Sequence, residues 1–505
     1  MNENRVRRIG ILGGGTAGWM TASALSKAIG PRVQTFLIES DEIGTIGVGE
    51  ATIPTIHWFN QLTGLNHNEF MRETKATYKL GIEFENWARP GHVYLHPFGR
   101  YGDTNDSLPF HHRWIRARQE GLDDGIEQYS LTTLVARAGK FAFPASDPNS
   151  PLATLGYAFH FDASLYARYL RKHSEARGVR RFEGKVIKID QHPETGFVTS
   201  LRTDKGDQLD ADLFIDCSGL RGVLIGGVLG SAFEDWSHWL PCDRALAVPT
   251  ERTGPPVPYT RSEALAAGWQ WRIPLQHRNG NGYVYSSKFI SDDEAASVLL
   301  NNLDGKPLAD PRPIRFTAGR RKRSWDKNVV AIGLSGGFLE PLESTSIHLI
   351  QSAIAKLLSL FPTRQCDPYT AEQFNRVLSQ EFEAVRDFLV LHYHSTTGKN
   401  EPMWEYCRSM PLPEALVYKE EHFKRSGRIV LAPEELFKDG SWLAVLTGQG
   451  HIPGDYNPLL DSVSSKDNFV YLRRTKDLLR ATCQRLPSHE SHIRAITEAP
   501  PVGVA

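Results

Sequence analysis

The alternation of apolar and polar positions divides the chain into recognisable elements. Arg5 to Leu12 is a short apolar run that ends in glycine and reads as a strand. Ala17 to Ile29 has helical spacing, and Gly30-Pro31 stops it. Arg32 to Glu39 reads as a second strand. Gly102 to Pro151 is rich in Gly, Pro, Asp and Arg, which predicts an insertion on the surface. The Leu/Tyr/Ala spacing of Leu165 to Arg177 predicts a helix. Lys185 to Asp190, Thr199 to Thr203 and Leu209 to Ile215 read as strands of a meander, and Gln270 to Ile273 and Gly282 to Phe289 alternate like sheet strands. Helical patterns dominate from Ile347 onward, and no internal repeat interrupts the chain. The pattern predicts an α/β nucleotide-binding module over 1–360, with inserted segments at about 100–155 and 226–315, and a mainly helical lobe over 361–505 on the substrate side.

Charge and composition narrow the function classes. Lys+Arg and Asp+Glu both number 58, so the 505-residue chain has no net charge, which argues against nucleic acid as a partner. Apolar residues at 40% and charged residues at 23% are ordinary for a globular protein. No run approaches the ~20 apolar residues of a membrane helix, and the N-terminus has no apolar signal core. Cys217, Cys242, Cys366, Cys407 and Cys483 are scattered without paired spacing, which predicts reduced thiols in a cytoplasmic protein. His111-His112 lacks further ligands, so it reads as a surface or loop pair and no metal is expected. Arg320-Arg321-Lys322-Arg323 reads either as help for cofactor phosphates or as a solvated basic face.

The strongest chemical signal is Gly13-Gly-Gly-Thr-Ala-Gly18, which fits G-x-G-x-x-G between a strand and a helix. Gly13 suits the tight turn, Gly15 lets backbone approach a pyrophosphate, and Gly18 allows close helix–strand packing, while Thr16 and Ala17 open the helix toward the anion. Glu39, about 20 residues on, suits a ribose hydroxyl. Leu213-Phe-Ile-Asp-Cys-Ser-Gly219 is a strand ending in Asp-x-x-Gly, as at the second cofactor contact of many flavoprotein oxygenases. Val329 to Phe338 is another strand running into a Gly-rich turn, which suits a long, extended FAD. No second complete motif offers an NAD(P)H domain, so reduced flavin must come from elsewhere.

Three further segments carry a family resemblance: Ile46-Gly-Val-Gly-Glu-Ala-Thr-Ile-Pro54, Trp269-Gln-Trp-Arg-Ile-Pro274 and Gly337-Phe-Leu-Glu-Pro-Leu-Glu-Ser-Thr345, with Phe70 to Phe84 beside them. With Gly13 to Trp19 they make the chain resemble the flavin-dependent tryptophan halogenase family. The resemblance implies an FAD-binding Rossmann-like core of the flavoprotein monooxygenase type. It adds Gly49, Ala51, Val186, Leu334 and Ile347 to the expected cofactor contacts. It also implies that FADH2 from a separate flavin reductase reacts with O2. The resulting flavin hydroperoxide oxidises bromide or chloride to hypohalous acid, which attacks an electron-rich aromatic ring.

By the same resemblance Lys79 handles the oxidant, as a haloamine or as a hydrogen-bond donor. Glu343, with Glu340 as the alternative, stabilises the cationic ring and takes its proton. Thr345 and Ser346 match the halide-binding backbone positions, and Ser346 departs from the family's usual Gly. Trp269 and Trp271 keep the arene from the flavin, and His96 and Phe98 face the ring. Leu436 to Leu443 does not match the family's clamp for an amino acid in register, which points to indole-type substrates. Bromide is expected to be used at least as well as chloride. The rivals are a single-component FAD-dependent hydroxylase and an inactive flavin-binding redox or partner protein. The oligomeric state is open, a homodimer being one option.

Overall fold

A computed structural model describes residues 3–42, 49–102 and 108–498. The chain divides into two compact units, each assembled from three segments: Met1–Ala76, Phe161–Asp243 and Arg315–Glu383 in the first, and Thr77–His160, Arg244–Ile314 and Ala384–Ala505 in the second.

The first unit is built on a six-stranded sheet in the order Trp325–Asp326, Val329–Ala331, Leu213–Asp216, Arg8–Leu12, Gln34–Glu39, Arg180–Glu183. Arg8–Leu12 pairs in parallel with Leu213–Asp216 and with Gln34–Glu39, as a nucleotide-binding core requires. A short meander, Val186–Gln191, Val198–Thr203 and Gln208–Asp210, covers part of this sheet. Val198 and Leu201 of the meander join Leu12, Phe36, Ile38 and Phe214 in one buried apolar cluster. Helix Thr16–Ile29 packs with helices Ala163–Ala176 and Ser346–Ser359.

The expected strand Leu209 to Ile215 is two strands. Gln208–Asp210 stays in the meander, whereas Leu213–Asp216 enters the central sheet. The break falls at Ala211-Asp212, where the Asp212 carboxylate accepts the backbone N–H groups of Arg7 (2.7 Å) and Arg8 (3.1 Å).

The second unit carries a seven-stranded sheet in the order Arg312–Arg315, Arg244–Thr250, Asn279–Tyr285, Gly268–Pro274, Thr260–Leu265, Gly81–Glu85, Val93–Pro97. Thr260–Leu265 and Gly81–Glu85 run parallel; their outer neighbours are antiparallel. Within Gly102 to Pro151 the described residues form helices Phe110–Gln119 and Leu131–Arg137, whose apolar faces are buried, while Phe143 to Asn149 is largely exposed. His111 and His112 are accordingly buried rather than exposed. Burial holds both imidazoles down at about 4, and His111 Nε2 lies 2.8 Å from the Gly427 carbonyl. The five cysteines are free and buried, and among the described residues no helix is long and apolar enough to cross a membrane.

One ion-pair cluster fixes helix Ser346–Ser359 within the first unit. His348, Ser352 and Lys356 lie on one face of it, and all three reach Glu381. Burial alone would raise the Glu381 carboxyl, but the hydrogen bond and charge of His348 and the charge of Lys356 outweigh it and hold it at about 2. A carboxyl lowered on folding stabilises the folded state above its ordinary value of 4.5, and the contribution is lost as pH falls through about 2. Glu381→Gln is therefore expected to destabilise the protein at neutral pH by on the order of 3 kcal/mol. The difference from the parent should shrink between pH 4.5 and pH 2 in a Tm-against-pH series. A constant offset across that window would contradict the pairing.

Candidate active site

In the first unit the strand Arg8–Leu12 hands over to helix Thr16–Ile29 through three glycines. Gly13 has φ +114°, and a Cβ there would lie 2.2 Å from the Cys217 carbonyl oxygen. A Cβ on Gly18 would lie 1.8 Å from the Gly13 carbonyl oxygen. Around Gly15 the described residues leave open space. The helix begins there without a side-chain cap or an acidic residue in its first turn, so Thr16, Ala17 and their neighbours present unmatched N–H groups to an anion.

Glu39 ends the second strand beside this turn. It accepts from Trp19 Nε1 at 3.3 Å and pairs with Arg181. The second glycine turn closes on the first: a Cβ on Gly333 would meet the Ala17 Cβ at 2.8 Å. Leu334 and Ser346 line a small cavity of about 40 Å³ behind it. An open glycine face, an uncapped helix end and a second glycine turn against it fit the extended FAD that the sequence leads one to expect. Ile347 is buried in the helix that follows, and Val186 is half-buried at the start of the meander.

Three expected cofactor features differ in part from expectation. Ile46 to Val48 lie outside the described residues. Gly49 and Ala51 are buried in the strand Gly49–Ala51, and Glu50 between them, which the sequence did not single out, is pushed up to about 7 by burial. The Asp216 carboxylate is directed inward. It accepts from the backbone N–H groups of Ser218, Leu224 and Ile225 and from the Ser218 hydroxyl, so it shapes the loop after its strand. Of the basic run, Arg320 is largely covered and pairs with Glu234 and Glu383, Arg323 pairs with Glu372 at the exposed surface, and Lys322 is exposed.

The acidic turn lies in the same unit. Glu340 and Glu343 are fully buried around the 3-10 turn Pro341–Glu343. Ser344 adopts φ +59°, a left-handed conformation that a non-glycine residue holds at a cost of about 1–3 kcal/mol. Helix Ser346–Ser359 then starts at Thr345 with no side-chain cap and no acidic residue in its first turn. The buried Thr345 Oγ1 has no hydrogen-bond partner among the described residues. The arrangement gives an N-terminal set of N–H groups in a covered place, which is chemistry for a small anion.

The second unit holds the lysine and the aromatic residues. Lys79 ends the strand Thr77–Lys79 and is fully buried, with Nζ 5.0 Å from the centre of the Phe98 ring. The strand pairs antiparallel with Ala158–Asp162, Lys79 opposite Ala158. His96 is buried with its ring 6.4 Å from Phe98, 5.9 Å from Phe388 and 6.3 Å from Phe437. Phe388 stacks on Phe437 at 3.9 Å and meets Trp442 edge-on. Lys79, Phe98 and His96 are therefore brought together, and the wall is completed by Phe388 and Phe437, which lie far off in the sequence and carry no motif. Trp269 and Trp271 are buried on one face of the fully covered strand Gly268–Pro274, their rings 6.1 Å apart.

The parallel sheet and the two glycine turns define an α/β protein of the dinucleotide-binding class, whose second unit buries a lysine beside the Phe98 ring. A family model described as "Tryptophan halogenase" matches residues 8–465. Tryptophan 6-halogenase SttH of Streptomyces toxytricini is 34% identical over 98% of this chain and 99% of its own. Among solved structures, Xcc4156, a flavin-dependent halogenase from Xanthomonas campestris, superposes with a TM-score of 0.94 at 45% identity, covering 99% of this chain and 100% of that one. BrvH, a flavin-dependent halogenase from Brevundimonas sp. BAL3, does so with a TM-score of 0.94 at 43% identity, covering 98% and 100%. The chain belongs to the tryptophan halogenase family and is a flavin-dependent aromatic halogenase.

The glycine geometry separates packing from cofactor contact. Gly18→Ala forces its Cβ into backbone and is expected to lower Tm by the equivalent of about 1–3 kcal/mol. Gly15→Ala meets open space and is expected to keep the parent Tm while weakening FAD affinity by about tenfold, as read by fluorescence titration. Unchanged FAD affinity in Gly15→Ala would contradict this placing of the pyrophosphate.

Proposed function

We propose that this chain is the halogenating component of a two-component system that takes FADH2 from a separate flavin reductase and halogenates an electron-rich, indole-type ring. The observation that carries the reading is the fully buried Lys79 with its Nζ 5.0 Å from the Phe98 ring centre, beside His96. A solvated lysine would be read as a surface group; a fully buried one beside an aromatic ring is a candidate for binding or chemistry through its amine. Bound reduced FAD, with O2, supplies the oxidising equivalent that converts halide to hypohalous acid.

The rest belongs to the chain's own groups. Gly13, Gly15, Thr16, Ala17, Gly18 and Glu39 hold the adenine half of the cofactor, and Gly49, Ala51, Val186, Leu334 and Ile347 the remainder. The backbone N–H groups at Thr345 and Ser346 receive the halide. Lys79 holds the oxidant through its amine, and Trp269 and Trp271 keep the arene away from the flavin. The carbon–halogen bond forms as the oxygen–halogen bond of hypohalous acid breaks. Glu343 takes the ring proton, so that the products are the halogenated arene and water. The single dinucleotide motif leaves no second dinucleotide-binding domain legible for NADH, which favours a separate reductase.

Lys79→Ala is expected to lower halogenation by at least about 100-fold while FAD affinity stays at the parent value. The purified parent without reductase should consume no NADH. Substantial halogenation by Lys79→Ala would remove the lysine from the reaction; flavin-dependent NADH consumption would favour the hydroxylase.

The substrate reading rests on the C-terminal stretch. Glu435, the buried carboxylate there, is committed to Lys419, to the Trp442 indole N–H (3.0 Å) and to the Ala432 N–H (3.0 Å). A carboxylate so engaged leaves little to clamp an amino-acid ammonium. We expect kcat/KM for indole to exceed that for free tryptophan by at least about tenfold. Bromide should give at least as much product as chloride in direct competition, because it is easier to dehydrate and to oxidise. Ser346→Gly should shift that ratio. A preference for tryptophan would show that another group clamps the zwitterion, and mainly chlorinated product would overturn the halide reading.

A further inference from the structure

The strand that carries Lys79 is held by a histidine that the reaction has not yet used. His160, Thr77 and Thr260 are all buried. His160 lies directly opposite Thr77 in the antiparallel pair, with Lys79 opposite Ala158. Since side chains alternate along a strand, Thr77, Lys79 and His160 share one face, and His160 is the diagonal neighbour of Lys79.

The hydrogen bonds fix the ring's tautomer. Thr77 Oγ1 donates its only proton to the Pro274 carbonyl at 2.7 Å. At 3.1 Å from His160 Nδ1 it can therefore only accept, so Nδ1 carries the proton. His160 Nε2 then accepts from Thr260 Oγ1 at 2.9 Å. A directed chain of three bonds thus runs from Thr260 through His160 and Thr77 to Pro274. It links the lysine strand to Gly268–Pro274, the strand of Trp269 and Trp271. The ring stays neutral: burial, then the Lys79 charge, then His489 all push its protonation well below the usual range. The lysine strand is held from its other side by a second neutral histidine. The Tyr78 N–H donates to His489 Nε2 at 3.1 Å, and His489 Nδ1 donates to the Pro256 carbonyl at 2.7 Å.

We propose that His160 is a positioning residue for Lys79: a neutral ring, locked as the Nδ1–H tautomer between Thr77 and Thr260, that registers the lysine strand against the tryptophan strand. The inference rests on the reading of Lys79 as the group that holds the oxidant. A side chain that drifts from its place still lets hypohalous acid form but lets more of it escape before it meets the arene. Asparagine at this position places an amide near the Nδ1 site and keeps the bond to Thr77; glutamine reaches the Nε2 site and keeps only the bond to Thr260.

The test compares His160→Ala, His160→Asn and His160→Gln with Lys79→Ala, each as the full chain with FAD, flavin reductase, NADH, bromide and indole. We expect His160→Ala to lose about tenfold in kcat, with the KM for indole and the FAD affinity within about twofold of the parent. The share of oxidant trapped by a soluble diketone scavenger should rise. His160→Asn should recover more of kcat than His160→Gln, a ranking that a purely packing role would not produce. Should His160→Ala fail to fold, the Asn and Gln variants decide the matter by that ranking and by their trapped oxidant. Equal kcat in these two variants, without extra trapped oxidant, overturns the proposal. If Lys79→Ala is inactive while the His160 variants match the parent, the positioning role alone falls; if Lys79→Ala remains active, the reading of Lys79 itself falls.

Discussion

Ionisable groups held out of water at fixed points are the constraint on which the structure depends. Lys79 in one unit and Glu340 and Glu343 in the other are wholly buried. Removing such groups from water costs several kcal/mol each unless neighbours satisfy them. The protein meets that cost with rigid local architecture. The strand that carries Lys79 is held by two neutral rings, His160 and His489, each fixed as the Nδ1–H tautomer by its partners. Around the glutamates, a left-handed Ser344 turns the chain into an uncapped helix, and the Glu381 cluster holds that helix in place.

The first fifty residues were legible because local chemistry decides them. A glycine turn that backbone crowding imposes, a helical repeat and a Gly-Pro stop leave few alternatives, and the strand, helix and strand are found at Arg8–Leu12, Thr16–Ile29 and Gln34–Glu39. The two buried helices within Gly102 to Pro151 were missed for the opposite reason: the segment's polar composition hides internal partners. The Arg116 guanidinium on helix Phe110–Gln119 is buried, donating to the carbonyls of Leu460 and Val463, which lie hundreds of positions away. Leu209 to Ile215 was read as one strand because its apolar run continues. The bonds from Arg7, Arg8 and Arg364 to Asp212 mark the division.

The site was legible to the degree that its residues sit in compact motifs. By composition alone Lys79 would pass for a solvated lysine, and the resemblance singled it out. The residues that surround it had no such signal. His160 is an unremarked histidine between phenylalanines, and Phe388 and Phe437 come from the distant C-terminal part. Their roles depend on strand register and on which distant segments pack together, which a single sequence does not state. One signal was available: Tyr157-Ala-Phe-His-Phe-Asp162 places a lone polar ring at an inward position of an otherwise apolar strand, a place where histidine needs fixed partners.

A halogenase must deliver its oxidising equivalent as halogen on carbon. The direct measurement is mass spectrometry of the product formed from indole by the parent protein with FAD, reductase, NADH, O2 and bromide. The expected product bears the paired isotope peaks of one bromine and is absent when bromide is omitted. A product carrying one added oxygen and no bromine, formed equally well without halide, would contradict the halogenase assignment.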